Sequence, residues 1–147
     1  MSFHDSVPRD EFRVIVADDD DLLREVVCAP LRQWGFTVVE ASNGRQALDA
    51  ALAHSGPVLV ILDWIMPGLD GLEVCRRVRA SDKLAYILLL TSRAETRSMA
   101  EGLKAGADDY LVKRMNREEL CIRLSLGLRM LSLQSQLLVQ AGENVSA

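Results

Sequence analysis

Acidic side chains stand directly after the first and third apolar runs of the sequence. Asp18 and Asp19 follow residues 13–17, and Asp63 follows residues 58–62. Taken singly, an aspartate in such a place is commonly a helix cap or a turn former. Two carboxylates about 4 Å apart repel by about 4 kcal/mol at an effective dielectric constant of about 20. If the fold brings all three together, a cation is needed, and hard carboxylate oxygens suit Mg²⁺.

Two further polar groups follow the fourth and fifth apolar runs. Thr91 comes after residues 86–90, and Lys113 comes after residues 110–112. A hydroxyl here could cap a helix, and a lone lysine is usually solvated. Beside carboxylates and a cation, however, a hydroxyl and an ammonium group are suited to bind a phosphoryl group. The sequence therefore suggests phosphoryl chemistry, provided that the strand ends converge.

The elements between these residues alternate regularly. Amphipathic helices are predicted over residues 21–34, 44–54, 71–80 and 95–105, and a longer one begins near residue 116. Five strand–helix units predict a doubly wound α/β fold of the flavodoxin-like class, with a parallel sheet in the order 2-1-3-4-5. In this order strands one and three are neighbours. Ligands bind at the carboxyl ends of such strands, where Asp18, Asp19 and Asp63 would meet.

Composition excludes several classes of protein. The chain has 147 residues, 49% of them hydrophobic, and a net charge of -4. This balance argues against direct nucleic-acid binding, which usually needs a basic surface. The longest apolar run, residues 84–90, is too short to span a membrane. The polar start is unlike a secretory signal, and Cys28, Cys75 and Cys121 are too widely spaced for a zinc site, so we expect a cytoplasmic protein with reduced thiols.

Four segments resemble the receiver domain of bacterial two-component response regulators. They are residues 16–20 (VADDD), 62–71 (LDWIMPGLDG), 90–92 (LTS) and 104–113 (KAGADDYLVK). The resemblance runs from about Phe12 to Leu128, and the segment around Asp63 is its most specific part. It implies a signalling module that accepts a phosphoryl group from a sensor histidine kinase or phosphotransfer protein. It also implies that the chain is no enzyme beyond its own phosphorylation and dephosphorylation.

The resemblance also implies a role for each site residue. Asp63 would be the phosphoacceptor. Asp19, Asp63 and the backbone carbonyl of Ile65 would bind Mg²⁺, and Asp18 would act through a bound water. Lys113 would pair with the phosphoryl oxygens.

Two residues would carry the response to phosphorylation. Thr91 would turn to hydrogen-bond the phosphoryl group, and Tyr110 would follow it inward as the switch aromatic. The expected result is a population shift in the region of the fourth helix, fifth strand and fifth helix.

The sequence departs from the family pattern near the site. Arg114 stands where the family usually has proline, so we expect a trans peptide or a strained loop after Lys113. Ile65 and Arg93 occupy variable positions, and an apolar Ile65 cannot orient a water, which predicts slow autodephosphorylation. The alternative function is a pseudo-receiver that acts as a phosphorylation-independent docking or dimerisation module.

Two enzyme or cofactor classes fit less well. Haloacid-dehalogenase-like phosphotransferases need a second aspartate where this chain has Ile65. A flavin or nucleotide module needs a first loop that cradles phosphate, and the four aspartates 18–21 would repel it.

The last predicted helix carries two apolar seams. Leu124, Leu128, Leu131, Ser135 and Leu138 form one, and Leu126, Met130, Leu133, Leu137 and Gln140 form the other. One seam should pack on the sheet, and the other suggests a homodimer through this helix, although a core helix that folds back is an alternative.

The extension resembles linkers between receivers and C-terminal output domains such as diguanylate cyclases or phosphatases. We therefore expect an output domain outside this chain. The predicted organisation is a flexible segment 1–11, a receiver domain 12–130 and a helical extension 131–147.

Overall fold

A single parallel sheet forms the centre of the molecule. The structure, a computed structural model, describes residues 12–92, 96–113 and 115–146. The strands run side by side in the order β2-β1-β3-β4-β5, which confirms the predicted fold class and strand order. Their bounds are β1 Arg13–Ala17, β2 Thr37–Ala41, β3 Val58–Asp63, β4 Ala85–Thr91 and β5 Asp109–Val112.

Within the described residues, five helices connect and follow the strands. They are α1 Asp21–Gln33, α2 Gly44–Ala53, α3 Gly71–Ala80, α4 Thr96–Ala105 and α5 Arg117–Ser146. At least four of the helix starts in the described residues are capped by side chains: Asp20, Asn43, Asp70 and Asn116 each accept a backbone N–H from the first turn. The capping of α1 by Asp20 leaves Asp18 and Asp19 outside the helix, at the end of β1.

Two apolar layers cover the sheet. The core between the sheet and helices α1 and α5 contains Val14, Leu59 and Ile61, whereas the opposite core, under α2, α3 and α4, contains Val60 and Leu62. Every residue of β3 is buried, because alternate side chains enter the two cores. This continuous burial explains why the strand is apolar until Asp63.

Helix α5 packs on the sheet over its first half only. Its buried side chains end at Leu131, and they include Leu124 and Leu128 of the first predicted seam. From residue 132 to residue 142 no described side chain is buried. The first predicted seam therefore packs on the sheet only as far as Leu131, because its last member, Leu138, is 63% exposed.

The three cysteines lie free and buried within these layers. Burial raises the pKa of the Cys28 thiol to about 11 and that of the Cys75 thiol to about 12. None of the helices in the described part of the chain combines the length and apolar character that crossing a bilayer requires. Segment 1–11, Arg93 and Arg114 lie outside the described residues, and so do the predictions made for them.

Candidate functional site

The carboxyl edge of the sheet gathers three aspartates. Asp18 follows β1, Asp63 ends β3, and these strands are hydrogen-bonded neighbours with Ala17 opposite Leu62. One carboxylate oxygen from each of Asp18, Asp19 and Asp63 lies within 4.8 Å of the others. Asp18 and Asp63 are buried, whereas Asp19 is exposed. The cluster therefore has a closed inner side and one open carboxylate, as a site reached from solvent requires.

Lys113 bridges the two buried carboxylates. Its Nζ lies 3.2 Å from Asp18 Oδ2 and 3.1 Å from Asp63 Oδ2. The backbone N–H of Lys113 donates to the carbonyl oxygen of Thr91 at 2.7 Å, which fixes the lysine at the end of β4. The cluster thus holds three carboxylates, and the one ammonium group pairs with two of them, so an excess of negative charge remains.

The pKa values of Asp63 and Lys113 are shifted by their burial and by the neighbouring charges. Burial raises the pKa of Asp63 above its ordinary value, Lys113 opposes that rise, and the charges of Asp18 and Asp19 add to it. Burial disfavours the charge on Lys113, but the hydrogen bonds and charges of Asp63 and Asp18 outweigh it, so the lysine pKa is raised. An added cation would relieve the repulsion that remains among the carboxylates.

The backbone around Asp18 is held by several hydrogen bonds. Asp18 donates its N–H to the carbonyl oxygen of Ala41 at 3.1 Å, and its Oδ1 accepts the N–H of Asp20 at 2.9 Å. Arg24 Nη1 donates to the carbonyl oxygen of Asp18 at 2.8 Å. These contacts hold the backbone of the acidic segment at the end of β1.

Arg24 is a residue of this site that the sequence reasoning missed. Its guanidinium reaches Asp18, Asp21 Oδ1 at 2.7 Å and Glu40 Oε1 at 3.0 Å. The spacing between Asp21 and Arg24, three residues on one helix, indicates an ion pair. The contacts with Asp18 and with Glu40 on β2 depend on the tertiary fold.

Two glycines let the segment after Asp63 lie close to its neighbours. A Cβ on Gly71 would lie 2.6 Å from the carbonyl oxygen of Asp63, and one on Gly44 would lie 2.1 Å from that of Leu69. The N–H of Gly71 donates to the carbonyl oxygen of Trp64 at 2.8 Å. The loop between Asp63, at the end of β3, and Gly71, at the start of α3, is therefore held by close backbone packing.

The remaining predicted residues lie around this edge. Thr91 is buried at the end of β4, beside β3. The Ile65 side chain is 58% exposed. Tyr110 is buried on β5, and its ring stands edge-on to that of Trp64, with centroids 6.1 Å apart. Tyr110 thus contacts the residue that follows Asp63 in the chain.

The donor set fits a magnesium ion. The cluster offers carboxylate oxygens only, which suit a hard cation, and within the described residues neither histidine nor cysteine joins the group. The exposed position of Asp19 leaves room for water or phosphate oxygens, which Mg²⁺ usually retains as ligands.

Comparison with known proteins gives one consistent answer. A family model described as the response regulator receiver domain matches residues 14–125. Response regulator MprA of Mycolicibacterium vanbaalenii is 45% identical over 117 residues, which are 80% of this chain and 50% of MprA. The chain spans about half the length of the curated relatives it matches.

Solved structures show the same similarity. The receiver domain of a Francisella response regulator superposes with a TM-score of 0.74 and 30% identity, over 80% of this chain and 97% of that domain. A protein described as a two-component system response regulator/GGDEF domain protein gives a TM-score of 0.77 and 32% identity, over 84% of this chain and 51% of that one.

Proposed function

This chain belongs to the response regulator receiver family of two-component systems, and on that premise we propose that Asp63 is its phosphoacceptor. Receivers are signalling modules and not conventional enzymes. The observation that carries the proposal is the convergence of Asp18, Asp19, Asp63 and Lys113 at one edge of the sheet. Asp63 combines a buried position with an adjacent ammonium group, which a nucleophile that receives an anionic group needs.

The proposed reaction is transfer from a phosphohistidine. A carboxylate oxygen of Asp63 forms a bond to phosphorus, the phosphorus–nitrogen bond breaks, and its electron pair returns to the imidazole of the donor. Lys113 Nζ already lies 3.1 Å from Asp63 Oδ2, so it can pair with a phosphoryl oxygen bound there. Thr91, at the end of the adjacent strand, supplies a hydroxyl donor to the product.

Mg²⁺ is the proposed cofactor. Asp19, Asp63 and the backbone carbonyl of Ile65 would hold it, with Asp18 bound through a water. When bound, the ion would neutralise negative charge on the group in transfer. Asp18 keeps its contact with Lys113 and so orients the lysine toward Asp63.

Tyr110 is the proposed partner of Thr91 in the switch. Its contact with Trp64 links β5 to the residue next to the phosphoacceptor. Charge added at Asp63 and a new bond from Thr91 would shift the population of the arrangements open to β5 and α4.

The proposed donor is a sensor histidine kinase or a phosphotransfer protein. It would approach the open edge of the sheet, where α1 presents Leu22 and Val26 to solvent. We place this exchange in the cytoplasm, where three free thiols stay reduced.

We further propose that an output domain follows α5 in the working protein. The solved relative that pairs a response regulator with a GGDEF domain is one example of a receiver sharing a chain with another domain. The proposed division is a receiver of residues 12–130 and an extension of residues 131–147. Buried side chains of α5 end at Leu131, the first residue of that extension, which supports a boundary in this part of the helix.

Intact mass after incubation with a small acyl phosphate and Mg²⁺ tests the proposal. We expect an adduct of one phosphoryl group that chelation of Mg²⁺ prevents and that Asp63→Asn abolishes. Asp20→Asn is the matched control, because Asp20 lies outside the cluster and asparagine also caps helices. Absence of the adduct in the unsubstituted chain, with Mg²⁺ still bound, would overturn the proposal in favour of a docking module that needs no phosphorylation.

A further inference from the structure

A buried glycine of α4 lies against the ring of Tyr110. A Cβ built on Gly102 would lie 3.4 Å from Cδ2 and 3.8 Å from Cε2 of Tyr110. The same Cβ would lie 2.8 Å from Cδ1 of Leu89, which is closer than a real Cβ approaches another heavy atom. The lack of a side chain at Gly102 therefore leaves the space that the Tyr110 ring and the Leu89 methyl group occupy.

Leu89 has little freedom to make room for a larger residue. Its side chain is completely buried on β4, and its second methyl group, Cδ2, lies 3.2 Å from the place that a Cβ on Gly71 would take. Gly71 donates its N–H to the carbonyl oxygen of Trp64, the residue after Asp63. Leu89 is thus held between a glycine of α3 and a glycine of α4. Because protein interiors are close-packed, it cannot turn aside without displacing one of these helices.

Helix α4 is also anchored close to Gly102. Arg79 of α3 donates to the carbonyl oxygens of Gly106 and Ala85, both at 2.8 Å. It also pairs with Asp108, in the turn between α4 and β5. These bonds join the end of α4 to α3 and to β4. The helix therefore cannot move off the sheet near Gly102 without breaking them.

Tyr110 is the neighbour that can yield. It lies on β5, which stands at one end of the strand order, and its ring meets that of Trp64 edge-on. A tyrosine combines an apolar ring with a polar hydroxyl group, so exposure to solvent costs it less than it costs a leucine. Crowding at Gly102 should therefore turn the Tyr110 ring outward and leave Leu89 in place.

We propose that Gly102 is a positioning residue for the switch, because its missing side chain lets the Tyr110 ring lie inward. A methyl group at this position would favour the outward ring. The consequence for signalling rests on the proposed function, in which Tyr110 is the partner of Thr91. Since that switch couples phosphorylation to the inward ring, a change that favours the outward ring should oppose phosphorylation.

Fluorine NMR of the whole chain, labelled with meta-fluorotyrosine, tests the position of the ring. The chain has two tyrosines, Tyr86 and Tyr110, and Tyr86→Phe assigns their signals. The exposure of each ring is measured by the change of its signal between light and heavy water. We expect Gly102→Ala to move the Tyr110 signal toward that of the unfolded chain and to leave the Tyr86 signal in place. Leu89→Val, added to Gly102→Ala, shortens the crowded side chain and should return the Tyr110 signal toward its original position.

Gly127→Ala is the matched control. A Cβ on Gly127 of α5 would lie 2.7 Å from Cδ1 of Tyr86, so this variant crowds the other tyrosine. It should move the Tyr86 signal and leave the Tyr110 signal in place. A Cβ on Gly142 would meet no described atom within 4 Å. Gly142→Ala should therefore move neither signal, and it accounts for the higher helix propensity of alanine.

Thermal melts check that each variant folds. A folded Gly102→Ala chain whose Tyr110 signal stays in place would overturn the proposal, and so would one in which both tyrosine signals move alike. A Gly102→Ala chain that fails to fold would overturn it as well, because the packing would then be too rigid for the ring to turn outward.

Phosphorylation by a small acyl phosphate with Mg²⁺ separates the role of Gly102 from that of Asp63. The adduct should form at least about threefold more slowly in Gly102→Ala than in Gly127→Ala, because a smaller inward population is available to react. An equal rate in the two variants would overturn the link between Gly102 and the switch. Absence of the adduct from every chain would refute Asp63 as the phosphoacceptor. The fluorine signals need no phosphoryl donor, so they would still decide whether Gly102 positions Tyr110.

Discussion

Arg24 donates a hydrogen bond to the backbone carbonyl oxygen of Asp18, although six residues separate them in the chain. The same guanidinium also binds Asp21 and Glu40, so it ties the acidic segment to both α1 and β2. A group that fixes the backbone of a metal-binding segment influences affinity without touching the ion. We therefore regard Arg24 as a positioning residue for the candidate Mg²⁺ site.

Replacing Arg24 should weaken Mg²⁺ binding. We expect Arg24→Gln to lower the affinity about tenfold, the lower end of the effect usually seen for such supporting residues. Arg24→Lys should lower the Mg²⁺ affinity by an intermediate factor. A lysine ammonium group lacks the planar, forked donors with which a guanidinium binds several acceptors at once. Fluorescence of Trp64, which follows Asp63, reports binding when Trp34 is replaced by phenylalanine.

Glu40→Gln is the control for Arg24. It removes the ion pair with Arg24 but leaves the contact with the Asp18 carbonyl available. We expect this variant to lose stability and to keep its Mg²⁺ affinity. Equal loss of affinity in both variants would show that Arg24 acts only by stabilising the fold.

Neutralising Asp63 should stabilise the protein in the absence of metal. Asp63 is buried beside the carboxylates of Asp18 and Asp19, and it shares one lysine with Asp18. We expect Asp63→Asn to raise the Tm by a few degrees in chelator at neutral pH, because it removes like-charge repulsion. Asp49→Asn, at an exposed position on α2, should leave the Tm nearly unchanged. A lower Tm for Asp63→Asn would mean that the bridge to Lys113 outweighs the repulsion.

Ile65 should keep the phosphorylated form long-lived. Its side chain is exposed two residues after Asp63 and offers no hydrogen bond to a water. We expect Ile65→Asn to lose the phosphoryl adduct about tenfold faster than the original chain, because the amide can orient a water. The adduct of Ile65→Val should be lost at the same rate as that of the original chain. The decay is followed by intact mass after the donor is removed. Unchanged decay in Ile65→Asn would contradict this role.

The ion pairs of Glu40 should make stability depend on acid pH. Hydrogen bonds from Arg24, and then from Arg32, hold the pKa of Glu40 below its ordinary value. Because the folded pKa is the lower one, the contribution is complete above the ordinary glutamate pKa and is lost as pH falls through the folded value. Because Glu40 is solvent-exposed, its ion pairs with Arg24 and Arg32 should contribute no more than about 1 kcal/mol to the free energy of unfolding at neutral pH.

Urea unfolding of the original chain and Glu40→Gln, from neutral pH to about pH 3, measures this contribution. The difference in unfolding free energy should be largest near neutrality and should shrink in acid. A difference that stays constant over this range would indicate that Glu40 contributes by packing and not by charge.

Much of the fold was predictable because its signals are local. Continuous apolar runs located the strands, and the predicted run 58–62 differs from β3 only by the inclusion of Asp63. Caps at Asp20 and Asn43 mark where α1 and α2 begin. The order 2-1-3-4-5 was that of the flavodoxin-like class, which the alternation of strands and helices indicated.

The candidate site was predictable for a different reason. Residues at the ends of parallel strands share one edge, so Asp18, Asp63 and Lys113 had to meet once the strand order was right. Arg24 was missed because its acceptors, a backbone carbonyl and a glutamate sixteen residues away, leave no spacing signal. A groove of about 590 Å³ lies between Leu138 of α5 and the loop residues Pro57 and Leu84, and it was missed because only the tertiary structure brings these segments together.

The burial of all three native cysteines has a practical consequence for experiments. With thiol pKa values of about 11 for Cys28 and about 12 for Cys75, these groups hold almost no reactive thiolate at neutral pH. A single cysteine introduced at an exposed position of α5 would therefore take up a maleimide dye or spin label selectively. The surroundings of α5 could then be probed by the label without first removing any native residue.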